Sequence, residues 1–297
     1  MEFPISVGVH QGSALSPLLF VIVMDAITRD LQKPVPWTLL YADDVMLASD
    51  DKGELEREVQ AWCDRLERFG LKLNVKKTEY LTTDVNESSS IKVNDIKLPC
   101  TAVFKYLGLA VASDAKLMVE VNSRVSAAWS KWRSLTGVLC DKTISERFKS
   151  KIYRAVIRPV VIYGAECWPA TKEVETRLSV METKMLRRTA GVTRLDRIRN
   201  DAIQQKFGVA PITDKMREAR LRWHGHIPCG KDDSVRRIGL NFEVIGIQPR
   251  GRPKQRWADT LHMDLKVAGV HPDLALDRER WRHDTRIADP AIQRDKR

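Results

Sequence analysis

Phe3, Ile5, Val7 and Val9 alternate with other residues, and this period of two predicts a short strand entering Gly8-Val9-His10-Gln11-Gly12-Ser13. An apolar run follows as far as Ile27, with Ser16 suited to the N-cap and Pro17 to the first helical position. A helix this apolar is expected to be buried. Two further apolar runs, Thr38-Leu39-Leu40 and Val45-Met46-Leu47-Ala48, bracket Tyr41-Ala42-Asp43-Asp44 and predict a strand, a tight acidic turn and a returning strand. Leu55, Val59, Trp62, Leu66 and Phe69 then fall on one stripe of a helix over residues 52–69. Asp50 or Asp51 would cap it, Gly70 would end it, and its Glu/Arg-rich face reads as solvated surface. Alternation over residues 71–75 predicts a strand into Lys76-Lys77-Thr78-Glu79. Short strands over 91–93 and 96–98 lead to Phe104-Lys105-Tyr106-Leu107-Gly108-Leu109.

From Asp114 the period lengthens to that of helices. Leu117, Val121, Val125, Ala128, Trp132 and Leu135 form the stripe of a helix that Asp114 would cap. A second helix over 143–157 carries Ile144, Phe148, Ile152 and Val156 as its apolar stripe. Its charge comes from Arg147, Lys149, Lys151, Arg154 and Arg158, and Pro159 perturbs its end. A third helix over 172–189 has Leu178, Met181, Met185 and Leu186 as its core, and further helices fit 198–207 and 213–226. Trp257, Leu261, Leu265 and Trp281 read as local helix packing. The pattern predicts an α+β protein, with mixed strands and helices first and a mostly helical region after them.

Charge divides the 297 residues at nearly the same place. Residues 1–114 hold 12 Lys/Arg against 17 Asp/Glu, and the remainder holds 38 against 22, within an overall formal charge of +11. A basic second part suits a polyanion, nucleic acid above all. The five cysteines are scattered without a C-x-x-C pair, which favours a reduced intracellular protein, in nucleus or cytoplasm, over a disulfide framework or zinc ribbon. Met1-Glu2-Phe3-Pro4 lacks the basic start and apolar core of a secretory signal. The run from Leu18 to Met24 ends at Asp25, far short of the ~20 apolar residues that span a bilayer, so no membrane partner is expected. His224, His226 and Cys229 lack a fourth ligand and fit no common zinc spacing, so a helix end with surface histidines is the better reading. Arg250-Gly251-Arg252-Pro253-Lys254 is similar to an AT-hook core, although general phosphate contact by Arg250, Arg252 and Lys254 is the preferred reading over A·T recognition.

The adjacent carboxylates of Asp43 and Asp44 are the most pointed chemical feature. Two acids this close repel unless a cation neutralises them, and hard divalent ions such as Mg²⁺ take oxygen ligands. Phosphoryl transfer uses pairs of such ions held between carboxylates. Taken alone, an Asp-Asp turn would be read as solvated.

The neighbouring motifs change that reading. Gly8-Val9-His10-Gln11-Gly12-Ser13-Ala14-Leu15-Ser16-Pro17-Leu18-Leu19-Phe20, then Tyr41-Ala42-Asp43-Asp44, then Gly70-Leu71-Lys72-Leu73-Asn74-Val75-Lys76-Lys77-Thr78, then Phe104-Lys105-Tyr106-Leu107-Gly108 follow in that order. In order and spacing the series closely resembles the reverse transcriptase of non-LTR, LINE-type retrotransposons. The likeness continues more loosely through the segment 158–168, Arg222-Trp223-His224-Gly225-His226 and Gly251-Arg252-Pro253-Lys254.

The resemblance implies a partial palm over residues 1–113, a small antiparallel sheet backed by helices. It implies a helical thumb-like region over 114–230 and a basic C-terminal region over 231–297. It implies RNA-directed DNA polymerase chemistry using Mg²⁺, an RNA template and a DNA primer. Asp43 and Asp44 would be metal ligands, and Lys77, or equally Lys76, would sit near the leaving pyrophosphate. Gln11, Gly12 and Tyr41 would contact substrate, with Gln11 and Gly12 lining the nascent base pair, and Tyr106, Leu107 and Gly108 would support the primer end. The family places its fingers and a further metal-binding aspartate ahead of the Gln-Gly motif, near which this sequence starts. Asp25, within the first helix, is a poor substitute for that ligand. The isolated chain, read as a truncated element, is therefore expected to show little polymerase activity, with an open sheet edge and an exposed helix face. The alternative expectation is a non-catalytic nucleic-acid-binding protein acting through its basic half. No endonuclease is encoded in these residues.

Overall fold

The computed structural model describes residues 12–84, 89–230, 234–240 and 255–290. The predicted strand at 3–9, Gln11 and the basic run Arg250, Arg252 and Lys254 lie outside the described residues. The chain divides into two compact units, Met1–Ala115 and Lys116–Arg297.

In the first unit, α1 (Ser16–Thr28) is followed by β1 (Thr38–Tyr41) and β2 (Asp44–Leu47), then by α2 (Lys52–Arg68). After these come the short pairs β3 (Lys92–Val93) with β4 (Ile96–Lys97), and β5 (Val103–Tyr106) with β6 (Leu109–Ala112). Among the described residues the strands form three separate antiparallel hairpins rather than one sheet. The α+β class holds.

α2 forms as its periodicity requires. The Asp51 side chain accepts from the Glu54 amide at 2.6 Å, Gly70 takes a positive φ of 76° after the last turn, and Trp62, Cys63 and Leu66 are buried. Phe69, predicted to belong to the stripe, is exposed because it lies past the last helical turn. The charged face of α2 is not simply solvated. Lys33 pairs with Glu54 and Glu58, and Arg65 clamps Asp30 and the Ile27 carbonyl.

Other expectations are corrected in this unit. Ser16 is the first helical residue and Leu15 the cap, whose apolar side chain has no oxygen to accept a capping bond. α1 is not buried. Only Met24, Ile27 and Thr28 are, against Leu66, while Leu15, Leu18, Leu19, Val21, Ile22 and Val23 are exposed. A helix apolar all round needs neighbours all round; among the described residues the apolar packing of α1 involves only Leu66 and Leu71. Residues 71–75 form no strand, because no described backbone pairs with them. Leu73 and Val75 nonetheless pack on Cys63, Tyr80, Ile91, Val93 and Leu98.

The second unit runs through α3 (Met118–Ser134), α4 (Thr136–Leu139), α5 (Glu146–Ile152), a π-helical turn (Tyr153–Ile157) and α6 (Arg158–Val161). A 3₁₀ turn (Ala165–Cys167) precedes α7 (Lys172–Ala190), α8 (Asn200–Phe207), α9 (Ile212–His226) and α10 (Val235–Leu240). The end comprises α11 (Trp257–Ala268), a 3₁₀ turn (Pro272–Leu276) and α12 (Arg278–Asp284). One continuous core joins Val121, Val125, Ala128 and Trp132 of α3 to Leu178, Met181, Met185 and Leu186 of α7 and to Ile203, Phe207 and Met216. α7 starts at Thr171, whose side chain accepts from the Val174 amide, and ends at Gly191 with φ of 70°. Asp114 does not cap α3; Leu117 occupies that position.

The stripe predicted for the second helix is displaced. Phe148 is exposed, whereas Lys149, Ser150, Tyr153, Ile157 and Val161 are buried. The π turn, closed by the Arg158 amide on the Tyr153 carbonyl, inserts an extra residue into the helical repeat ahead of Pro159. Proline would clash with the carbonyl four residues back in an unbroken α-helix, and the wider turn relieves this.

Buried polar groups tie the unit together. Glu182 accepts from the Tyr153 hydroxyl at 2.6 Å and the Ile212 amide at 2.9 Å. Arg158 pairs with Asp289, which also accepts from the Ala210 amide at 2.9 Å. Arg220, only 1% exposed, pairs with Asp264 of α11 at 2.6 Å. Trp281 donates to the Leu221 carbonyl at 2.9 Å and packs with Leu261, Val270 and Ala275, so the helix packing expected of the tail is present but reaches back to α9 rather than staying local.

Candidate active site

The register of β1 and β2 pairs Tyr41 with Asp44, leaving a two-residue turn of Ala42 and Asp43. Two-residue hairpin turns need a positive φ, and Ala42 supplies it at 53° against the clash of its own Cβ, a cost of roughly 1–2 kcal/mol. The effect is to push Asp43 to the apex and leave Asp44 as the first residue of the returning strand. All four residues of the tip are exposed, so Asp43 and Asp44 are both open to solvent.

The second hairpin has the same construction. Tyr106 pairs with Leu109 across a turn in which Leu107 (φ 49°) and Gly108 (φ 77°) both lie in the left-handed region. This is the backbone of a type I′ turn, to which glycine is suited and leucine is not. Burial raises the pKa of the Tyr106 phenol, and the negative charge of Asp44 raises it further. The structure therefore brings Tyr106 into the electrostatic reach of the acidic tip, and the phenol stays protonated at neutral pH. The hairpin at 103–112 was not expected from the pattern. Gly108 inside a run of alternating residues was the available signal.

The other expected residues are more dispersed. Lys76 and Lys77 are exposed on a turn closed by the Lys77 and Thr78 amides on the Asn74 carbonyl, and among the described residues no ion pair links either lysine to the tip. Gly12 has a φ of 92° with open space where a side chain would be, which leaves its backbone approachable. Asp25 is engaged by Arg29 and Gln32, and hydrogen bonding from Arg29 lowers its pKa.

Oxygen donors of this kind fit a hard divalent cation. Their number does not complete its cage: among the described residues no group of three His, Cys, Asp or Glu could hold a metal ion. The histidines near 224 form no such group either. His226 and Cys229 are exposed, but His224 is buried against the Trp281 ring rather than on the surface, and burial lowers its pKa. All five cysteines are free thiols. Among the described residues no helix is long and apolar enough to cross a membrane.

Residues 1–111, which include both hairpin tips, match the family described as reverse transcriptase (RNA-dependent DNA polymerase). Over these residues the chain is similar to the reverse transcriptase family. Its relatives place the likeness among non-LTR mobile elements. The chain is 24% identical over 290 residues to the RNA-directed DNA polymerase from mobile element jockey of Drosophila funebris, covering 92% of this chain and 30% of that protein. It is 31% identical over 127 residues to a retrovirus-related Pol polyprotein from a type-2 retrotransposable element of Drosophila melanogaster, covering 36% of this chain and 12% of that one. A transposon-derived protein of Caenorhabditis elegans is 21% identical over 259 residues, 82% of this chain and 92% of its own length. The chain thus spans nearly all of one relative but under a third of the jockey polymerase. No solved structure matches.

Proposed function

We propose that this chain contributes the acidic part of a site for RNA-directed DNA synthesis, together with a basic helical unit that holds nucleic acid. The observation that carries the reading is the adjacent, exposed Asp43 and Asp44 at a two-residue hairpin tip, with the charge of Asp44 acting on Tyr106. Asp43 would be the principal ligand of a divalent ion such as Mg²⁺ and Asp44 a lesser one. The ion, when bound, stabilises charge on the attacking and leaving oxygens. Lys77, or Lys76 beside it on the same turn, would offset charge on departing pyrophosphate. Gln11 and Gly12 would line the nascent base pair, where the absence of a side chain at Gly12 permits close backbone approach. Tyr41 would lie against the nucleotide, and Tyr106, Leu107 and Gly108 would support the primer end. Arg250, Arg252 and Lys254 would make phosphate contacts.

Two carboxylates from one turn supply ligands from one side only, whereas two-metal chemistry needs both. These 297 residues assayed alone are therefore expected to bind primer–template without extending it. Primer extension with Mg²⁺ on an RNA template tests this. The expected outcome is salt-sensitive binding and no incorporation. Incorporation that vanishes in Asp43→Ala would overturn the inactivity while supporting the site. Absence of binding at low salt would overturn the role of the basic unit. Binding without incorporation is also what the alternative, a non-catalytic nucleic-acid-binding protein, requires; the excess of 38 Lys/Arg over 22 Asp/Glu after residue 114 favours that part of both readings.

A further inference from the structure

The segment between α7 and α8 holds a leucine in an unusual position. Leu195 is 90% exposed, the most exposed of the large apolar side chains among the described residues. The loop that carries it is nevertheless tightly held. From the last turn of α7, Arg187 donates to the Thr193 carbonyl at 3.0 Å, the Ile198 carbonyl at 2.6 Å and the Asn200 side chain at 2.9 Å. Asp196 accepts from the Thr193 amide at 2.6 Å and from the Thr193 hydroxyl at 2.9 Å, and the Leu195 amide donates back to that hydroxyl. Arg197 has a φ of 51°, a conformation that persists in a non-glycine residue only where its surroundings impose it.

Three exposed arginines flank the leucine: Arg194, Arg197 and Arg199. Among the described residues none of their guanidinium groups has a hydrogen-bond or ion-pair partner. The only carboxylate of the tip, Asp196, is occupied by Thr193 and held at a lowered pKa by the Thr193 amide and hydroxyl. The tip thus presents one apolar wedge among uncompensated positive charges, and its ordering entropy is already spent before any ligand arrives. A protein partner that buried Leu195 would have to meet three charges within a few residues. A duplex nucleic acid offers both requirements together, phosphates at close spacing and base steps that apolar side chains can part.

We infer that loop 193–199 is a duplex nucleic-acid contact, in which Leu195 enters a base step while Arg194, Arg197 and Arg199 meet the flanking phosphates. The inference rests on the reading that the basic unit meets nucleic acid. It adds which surface does so and how.

The test uses the full chain with DNA and RNA–DNA duplexes carrying 2-aminopurine at successive positions. Wild type is expected to raise the probe's fluorescence severalfold as its base unstacks. Leu195→Ser is expected to abolish that rise while leaving the dependence of affinity on salt unchanged. The triple change Arg194→Gln, Arg197→Gln and Arg199→Gln is expected to weaken binding about tenfold or more and to reduce the log–log salt slope by about 2–3. All four positions are solvent-exposed, so circular dichroism should show the variants folded. Binding, salt slope and fluorescence that survive both variants unchanged would overturn the loop assignment alone. A wild-type chain that binds no duplex at low salt would overturn the broader reading and this inference with it.

Discussion

Compare α1 in the first unit with α7 in the second. α1 is the more apolar, yet it leaves Leu18, Leu19, Val21, Ile22 and Val23 in solvent and buries only Met24, Ile27 and Thr28. α7 is far more polar, with Lys, Glu and Arg along its outer face, yet it buries Val174, Leu178, Met181, Met185 and Leu186 in a core shared with α3, α8 and α9. Burial follows from how many neighbours an element has, not from how apolar it is. Among the described residues the first unit, which carries the acidic hairpin, has two small cores and three unconnected hairpins. Among the described residues the basic unit has an extended core and a smaller one around Trp281, reinforced by buried ion pairs. Chemical identity and cohesion are therefore concentrated in different parts of the chain.

The largest break in that contrast should come from the second unit. Asp264→Ala leaves Arg220, which is almost fully buried, without its partner and is expected to cost about 3–5 kcal/mol of that unit's stability, read by urea unfolding. Replacing both partners, Arg220→Met with Asp264→Leu, should recover most of the loss. If the single change cost no more than a surface substitution, the cohesion assigned to the basic unit would be wrong.

A smaller effect depends on pH. Burial raises the pKa of Glu182 above the ordinary carboxylate value, so the native state holds its proton at pH values where the unfolded chain has released it. Its contribution is complete below the unfolded value near 4.5 and is lost as pH rises through the folded one. Glu182→Gln should remove this downward component from the stability-against-pH curve of the second unit. A curve whose slope in that window is identical in both proteins would count against the buried acid.

The smallest effect belongs to α1. Leu19→Ser is expected to change stability by less than about 0.5 kcal/mol, since the side chain is already in solvent, while reducing self-association in sedimentation experiments. A loss of several kcal/mol would mean that this face is covered.

Much of this architecture was legible where local signals agreed. α2 and α7 combine a clear stripe with an N-capping side chain and a terminal glycine, and both formed nearly where the pattern put them. The acidic hairpin was legible because apolar runs flank residues that tolerate turns. What escaped depends on long-range packing. The strand expected at 71–75 has the right alternation but no described partner, so no ladder forms. The stripe of α5 was misplaced because a π turn ahead of Pro159 shifts the helical repeat, burying Lys149 and Arg158, which were expected only to supply charge. The electrostatic influence of Asp44 on Tyr106 joins residues far apart in sequence, and no local pattern encodes it. The placement of Gln11 and the Arg250–Lys254 run lies outside the described residues.

We propose the acidic tip as one side of a divalent-metal site to which Tyr106 is electrostatically coupled. Adding Mn²⁺ to isotopically labelled full-length chain and recording amide resonances tests it most directly, because the paramagnetic ion broadens signals close to where it binds. The account predicts broadening centred on Ala42, Asp43 and Asp44 that extends to Tyr106, Leu107 and Gly108 and disappears in the Asp43→Asn, Asp44→Asn double variant. Broadening that is absent from both hairpin tips, or that persists there unchanged in the double variant, would contradict it.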